Sequence, residues 1–125
     1  MSADLSMALT RDFKQSIKDR VERDPEFANA LLDEAANLFL SGEPETARLI
    51  LRDLVNATIG FERLAKETAT PSKSLHRMLS QSGNPRMDNL ATIFRALQAK
   101  LHVNIHAHAV SMTKIVEKNR RKRPA

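Results

Sequence analysis

Residues 61–80 read FERLAKETATPSKSLHRMLS, and the spacing of their apolar residues predicts two short helices either side of a tight turn. The first, Phe61 to Glu67, is about two turns long and points Leu64 and Ala65 inward. Ala65 is small, so a second helix can cross it closely. That second helix is expected to start with Thr70 as N-cap and Pro71 at the first helical position, and to reach about Ser80. Leu75, Met78 and Leu79, at i, i+3 and i+4, face inward, and the other face carries Ser72, Lys73, His76, Arg77 and Ser80. A helix that is apolar inside and rich in donors outside suits a DNA major groove. Arg and Lys donate to guanine O6 and N7, and Ser serves several bases. The first helix would then lie across the backbone, with the N–H groups of its amino end, near Phe61, available to a phosphate.

Outside this stretch the chain reads as helices with sharp punctuation. From Thr10 to Arg23, Phe13, Ile17 and Val21 recur every four residues. Asp24–Pro25 resets the chain as N-cap and first helical residue. The helix that follows places Phe27, Leu31, Ala35 and Leu38 on one face and ends at Ser41–Gly42, where Gly42 suits a left-handed cap. Pro44 opens a third helix through Ile59 with a stripe of Leu51, Leu54 and Val55, and Gly60 closes it. Ser82–Gly83–Asn84–Pro85 is a loop by composition. Met87 to Lys100 is a further helix with Leu90, Ile93, Phe94 and Leu97 inward. The period then falls to two: Leu101, Val103, Ile105, Ala107 and Ala109 alternate with His102, Asn104, His106 and His108. That pattern predicts an amphipathic edge strand, able to pair with its twin or with a partner protein. Phe13, Phe27, Phe39 and Phe94 sit on apolar stripes and are expected in the core.

The expected fold class is all-α: a five- to six-helix domain containing a helix-turn-helix, with a short C-terminal β-strand and a basic tail. The divisions are an N-terminal helical extension (1–43), a helix-turn-helix DNA-binding domain (44–100), an edge strand (101–110) and a basic, flexible tail (111–125).

Composition sets limits on the chemistry. A chain of 125 residues, 42% apolar and 28% charged, is of globular type and long enough for a core without staples. The absence of cysteine excludes disulfides, zinc ribbons and thiol catalysis. No basic-then-apolar start and no long apolar run occur, so a cytoplasmic protein without membrane association is expected. Residues 1–60 carry 7 Lys/Arg against 11 Asp/Glu, whereas residues 61–113 carry 7 against 3 and residues 114–125 carry 6 against 1. An acidic first half followed by a basic remainder points to a polyanion as partner of the second half. His102, His106 and His108 would project from one strand face, but no carboxylate stands near them in sequence, and a polar strand face is the better reading than a metal site. No G-x-S-x-G elbow occurs, and with three glycines in the chain no phosphate-binding loop does either. No catalytic residues, metal or cofactors are therefore expected, and the chain reads as a non-enzyme.

The stretch GFERLAKETATPSKSLHRMLSQSGNPRMDNLATIFRAL, residues 60–97, resembles the helix-turn-helix of Cro-like and phage-repressor-like regulators. More closely, it is similar to the addiction-module antidote (antitoxin) family and allied prophage DNA-binding proteins. The likeness is carried by LAKET, SKSLHRML, the GNP loop and DNLATIFRAL; it covers roughly residues 55–103, and the preceding helices more loosely. Residue by residue, it implies base reading by Ser72, Lys73 and Arg77, with His76 as a further candidate. It implies phosphate contacts at the Phe61 backbone amide, Ser80, Asn84 and Arg86. Many such motifs have Gly in the turn, where this chain has Ala69; a left-handed Ala costs about 1 kcal/mol relative to Gly. The resemblance implies a sequence-specific repressor that binds operator DNA as a homodimer, and an autoregulating antitoxin that neutralises a small basic toxin. Two alternatives stand beside it: a helical protein-interaction module without DNA binding, and a stand-alone prophage-type repressor.

Overall fold

The computed structural model describes residues 15–113, and these fold into six helices with no β-strand among them. The helices are α1 (15–23), α2 (Pro25–Leu40), α3 (Pro44–Ala57), α4 (Phe61–Thr68), α5 (Ser72–Met78) and α6 (Met87–Leu101). The all-α class is as expected. Thr10, Phe13 and the tail residues 114–125 lie outside the described residues.

Local chemistry sets most helix ends. Asp24 is the N-cap of α2, its Oδ1 accepting from the Glu26 amide at 3.2 Å, and Pro25 occupies the first turn. Gly42, at φ +89°, turns the chain out of α2, and the Glu43 amide donates back to Leu38 O at 2.8 Å. α3 stops at Ala57, two residues before the expected Ile59, because Thr58 caps it with its amide on Leu54 O and Val55 O. Gly60, at φ +79° and ψ 150°, then reverses the backbone into α4, in a region that essentially only Gly adopts.

The core runs through α2 to α6 and is built of leucines: Leu32, Leu51, Leu54, Leu64, Leu75, Leu79 and Leu97 are almost fully buried. Burying each such side chain contributes about 1.5–3 kcal/mol. The buried line of α2 is Ala28, Leu32 and Ala35, one residue round from the expected Phe27–Leu31–Ala35–Leu38 stripe. Apolar residues surround this helix, and packing on α3 selects the line with the small alanines, which permit close approach. Phe27, Phe39 and Phe94, expected in the core, consequently lie half-buried at its rim. Phe39 and Phe94 meet edge to face at 5.9 Å, and half-buried Phe27 lies under the Arg20 guanidinium at 4.4 Å.

The turn between α4 and α5 holds Ala69 at φ 52°, ψ 37°, so the left-handed alanine is real. The Thr70 amide closes it on Ala65 O at 3.1 Å. Thr70 does not cap α5 as expected. Its hydroxyl turns back to donate to Thr68 O at 3.1 Å, and Pro71, extended at ψ 142°, takes the N-cap position without a side-chain acceptor. Replacing Ala69 by Gly is expected to raise stability by about 1 kcal/mol, because Gly meets no Cβ clash at positive φ. Thermal unfolding followed by circular dichroism should rise by a few degrees; a fall would contradict the strain.

The edge strand expected over 101–110 does not form. Leu101 ends α6, and His102 takes a left-handed cap (φ 56°, ψ 45°), its amide on Ala99 O and that of Val103 on Gln98 O at 3.0 Å. The alternation reflects a lone extended segment lying on the helices: Leu101, Val103 and Ile105 are partly buried, and His102, Asn104 and His106 are exposed. A period of two reports extended backbone, but a strand also needs a ladder partner. Here the Ile105 amide donates instead to the Gln98 side-chain oxygen at 2.8 Å.

Candidate nucleic-acid interface

α5 is seven residues long and its inner face is fixed by Leu75, buried in the core, with Leu79 buried just beyond its end. This leaves Lys73, His76 and Arg77 on the outer face, all exposed, at the i, i+3, i+4 spacing that aligns side chains along one side of a helix. Ser72 is half-buried at the first turn. Residues 68–86 contain no Asp or Glu, and Lys73, Arg77 and Arg86 make no ion pair among the described residues. A basic face without interspersed acids keeps its full positive potential toward solvent. On α4, by contrast, Arg63 is paired with Glu67 at 3.2 Å, both well exposed.

His76 is placed by a contact that the sequence pattern does not reveal. Its ring stacks on that of Phe61, with centroids 3.9 Å apart and planes 19° from parallel. Phe61 is itself only 6% exposed, so a core residue at the start of α4 holds the outer face of α5. The first N–H groups of α4, that of Phe61 among them, have no intrahelical acceptor. The stack thus brings the amino end of α4 beside the basic face of α5, and joins two of the expected site positions.

The far end of α5 is held by Arg48, which sequence reading did not single out. Arg48, half-buried on α3, donates from Nε to Ser80 O at 3.0 Å and from Nη2 to Gln81 O at 2.7 Å. Gln81 Nε2 in turn donates to Glu45 Oε1 at 3.2 Å. Ser80 and Gln81 lie just past the end of α5 at Met78, so the guanidinium fork ties down the turn that follows the helix with two charge-assisted bonds. Nothing local to residue 48 signals this role, because its partners lie more than thirty residues away. Arg48→Ala is expected to cost about 2 kcal/mol of stability, the scale of charge-assisted bonds at a partly exposed site. Arg48→Lys should restore only part of it, since an ammonium cannot reproduce the fork. Equal unfolding midpoints for all three proteins would rule the clamp out.

The remaining expected residues divide. Ser80 is half-buried and its hydroxyl donates to Arg77 O at 2.8 Å, which gives it a helix-ending role in the free protein. Asn84 and Arg86 are exposed in the loop between α5 and α6, and Arg86 is the N-cap residue of α6 without a side-chain cap bond. The loop is tied to α5 by the Gly83 amide, which donates to Ser80 O at 3.1 Å. A Cβ on Gly83 would run into the backbone oxygens of Arg77 and Met78. Among the described residues no group of three or more His, Cys, Asp or Glu comes together in a way that could hold a metal ion. No described helix is long and apolar enough to cross a membrane. Comparison of the chain with protein-family models, curated proteins and solved structures returns no match.

Proposed function

We propose that α4, the Ala69 turn and α5 form a helix-turn-helix, and that the protein is a sequence-specific DNA-binding repressor. The observation that carries this reading is the outer face of α5: Lys73, His76 and Arg77 exposed together on an acid-free stretch, with His76 stacked on Phe61 and the turn that follows α5 held by Arg48. Phosphate contacts, from the Phe61 amide and from Asn84 and Arg86, dock the protein, and α5 enters the major groove to select bases. Arg77 and Lys73 read guanine, Ser72 adds a hydroxyl contact at the helix start, and His76 reads or packs against its neighbour. Rigid anchoring matters because a base contact is directional, and a loosely held helix would lose it to entropy.

One seven-residue helix reaches too few base pairs for an operator, so the protein acts as a homodimer on two half-sites. Bound over its own promoter, it represses by occlusion. The resemblance of residues 60–97 to addiction-module antidotes extends the reading to an antitoxin. The acidic first half, 7 basic against 11 acidic residues over 1–60, is then the surface for a small basic toxin.

The test is titration of a fluorophore-labelled duplex from the DNA upstream of the gene against a scrambled duplex of equal length. The label is essential, since the chain has neither Trp nor Tyr. Preference for the upstream duplex by about 1000-fold or more is expected. Equal affinity for both would reject it, and no affinity for either would favour an interaction module.

A further inference from the structure

Beyond α6 the chain runs in a single extended segment until a helical turn opens at Met112. Its side chains alternate: Val103 and Ile105 pack on the core, and Asn104 and His106 are exposed. Its backbone alternates too, because successive amides of an extended chain point to opposite edges. The Val103 amide donates to Gln98 O at 3.0 Å and the Ile105 amide to Gln98 Oε1 at 2.8 Å. One edge is thus taken up by α6. The Asn104 and His106 amides, which point the other way, have no acceptor among the described residues. Open edges are normally blunted by Lys, Pro or a bulge. Residues 101–113, LHVNIHAHAVSMT, contain no Pro and no Asp, Glu, Lys or Arg, in a chain that is 28% charged. The edge is uncharged and unguarded.

We propose that this edge pairs with the same edge of a second copy, antiparallel about a two-fold axis, in a two-stranded ribbon that joins the dimer. Such a pair is self-complementary: each copy offers the N–H and C=O groups of Asn104, His106 and His108, and the axis makes each contact twice. Pairing the whole stretch 103–109 centres the axis on His106, which faces its twin while Asn104 faces the partner's His108. About six backbone hydrogen bonds result. On the core side, this register sets Val103 beside the partner's Ala109 and Ile105 beside the partner's Ala107. Each pair is a large residue against a small one, and it covers Ala107 and Ala109, both exposed in the single chain. A two-stranded ribbon needs a packed face to be stable, and Val103 and Ile105 of both copies supply it. A strand from another protein would fill one edge, whereas a second copy satisfies two identical edges in one contact. The ribbon gives the dimer of the proposed function an interface, and rests on that reading only for its use on DNA.

The full chain is measured without DNA, so failure of the ribbon and failure of the DNA reading are separable. Sedimentation followed by interference optics should give twice the 14.0 kDa chain mass at micromolar concentration. His106→Pro removes the central amide of each copy and should weaken association by about 30-fold or more. Circular dichroism should stay unchanged, because His106 is exposed and its amide has no acceptor among the described residues. The chain has no cysteine, so single thiols report the register. His106→Cys should oxidise to a linked pair, its α-carbons standing about 5.5 Å apart across the axis. Asn104→Cys, also exposed, would stand about 13 Å from its twin. It should stay single alone and link when mixed with His108→Cys. Should His106→Pro disturb the helices, the thiols alone decide. Three outcomes overturn the ribbon: the single-chain mass throughout, a double mass that His106→Pro with intact helices leaves unchanged, or thiols that stay unlinked or link without regard to position.

Discussion

Replacing Lys73 and Arg77 together by Ala is expected to abolish specific DNA binding, a loss of about 3 kcal/mol or more and over 100-fold in affinity. Both side chains are exposed and enter no ion pair among the described residues, so nothing in the fold depends on them. Removing two like charges at i, i+4 should even relieve a few tenths of a kcal/mol of repulsion in α5. Lost binding with an unchanged or slightly raised melting temperature is the combination that assigns the pair to recognition. The single variants sort their roles. Loss of an Arg77–guanine pair should relax the preference at one base position, whereas loss of a phosphate contact by Lys73 should weaken all sequences alike and lower the salt slope by about 1. Undiminished specific binding by the double variant would place the DNA surface elsewhere.

The second large effect is expected at Gly83. Alanine there would drive its Cβ against the backbone oxygens of Arg77 and Met78, and backbone cannot yield as a flexible side-chain end does. The loop would have to move, breaking the Gly83–Ser80 hydrogen bond and disturbing the carbonyls that Arg48 grips. A loss of about 2–3 kcal/mol of stability is expected, with weaker DNA binding because α5 loses its fixed end. Ser82→Ala, one position away and exposed, is the control and should change stability by less than about 0.5 kcal/mol. Equal melting temperatures for Gly83→Ala and Ser82→Ala would show that the loop has slack.

Much of the fold was legible because its boundaries are written in local chemistry. Asp24–Pro25, Gly42 with Pro44, Gly60 and the Ser82–Pro85 loop each act within a few residues, and helices begin or end at all of them. The outer face of α5 was legible for the same reason, since helical spacing alone separates Lys73, His76 and Arg77 from Leu75 and Leu79. What sequence could not supply are choices made between elements. Which line of α2 faces inward depends on α3, and the extended segment after Leu101 looks like a strand until the absence of a neighbour is known. The Phe61–His76 stack and the Arg48 clamp pair residues far apart in the chain, in types that usually face solvent or core for unrelated reasons. These contacts orient α5, so they matter most to the proposed function while leaving the least trace in a single sequence.

Whether α5 reads DNA as one half of a symmetric pair is decided by hydroxyl-radical footprinting on the DNA upstream of the gene. Two protected half-sites about one helical turn, ~34 Å, apart are expected, persisting when salt is raised from low to moderate. Uniform protection that vanishes with salt would contradict it, reducing the basic face to unspecific attraction for a polyanion.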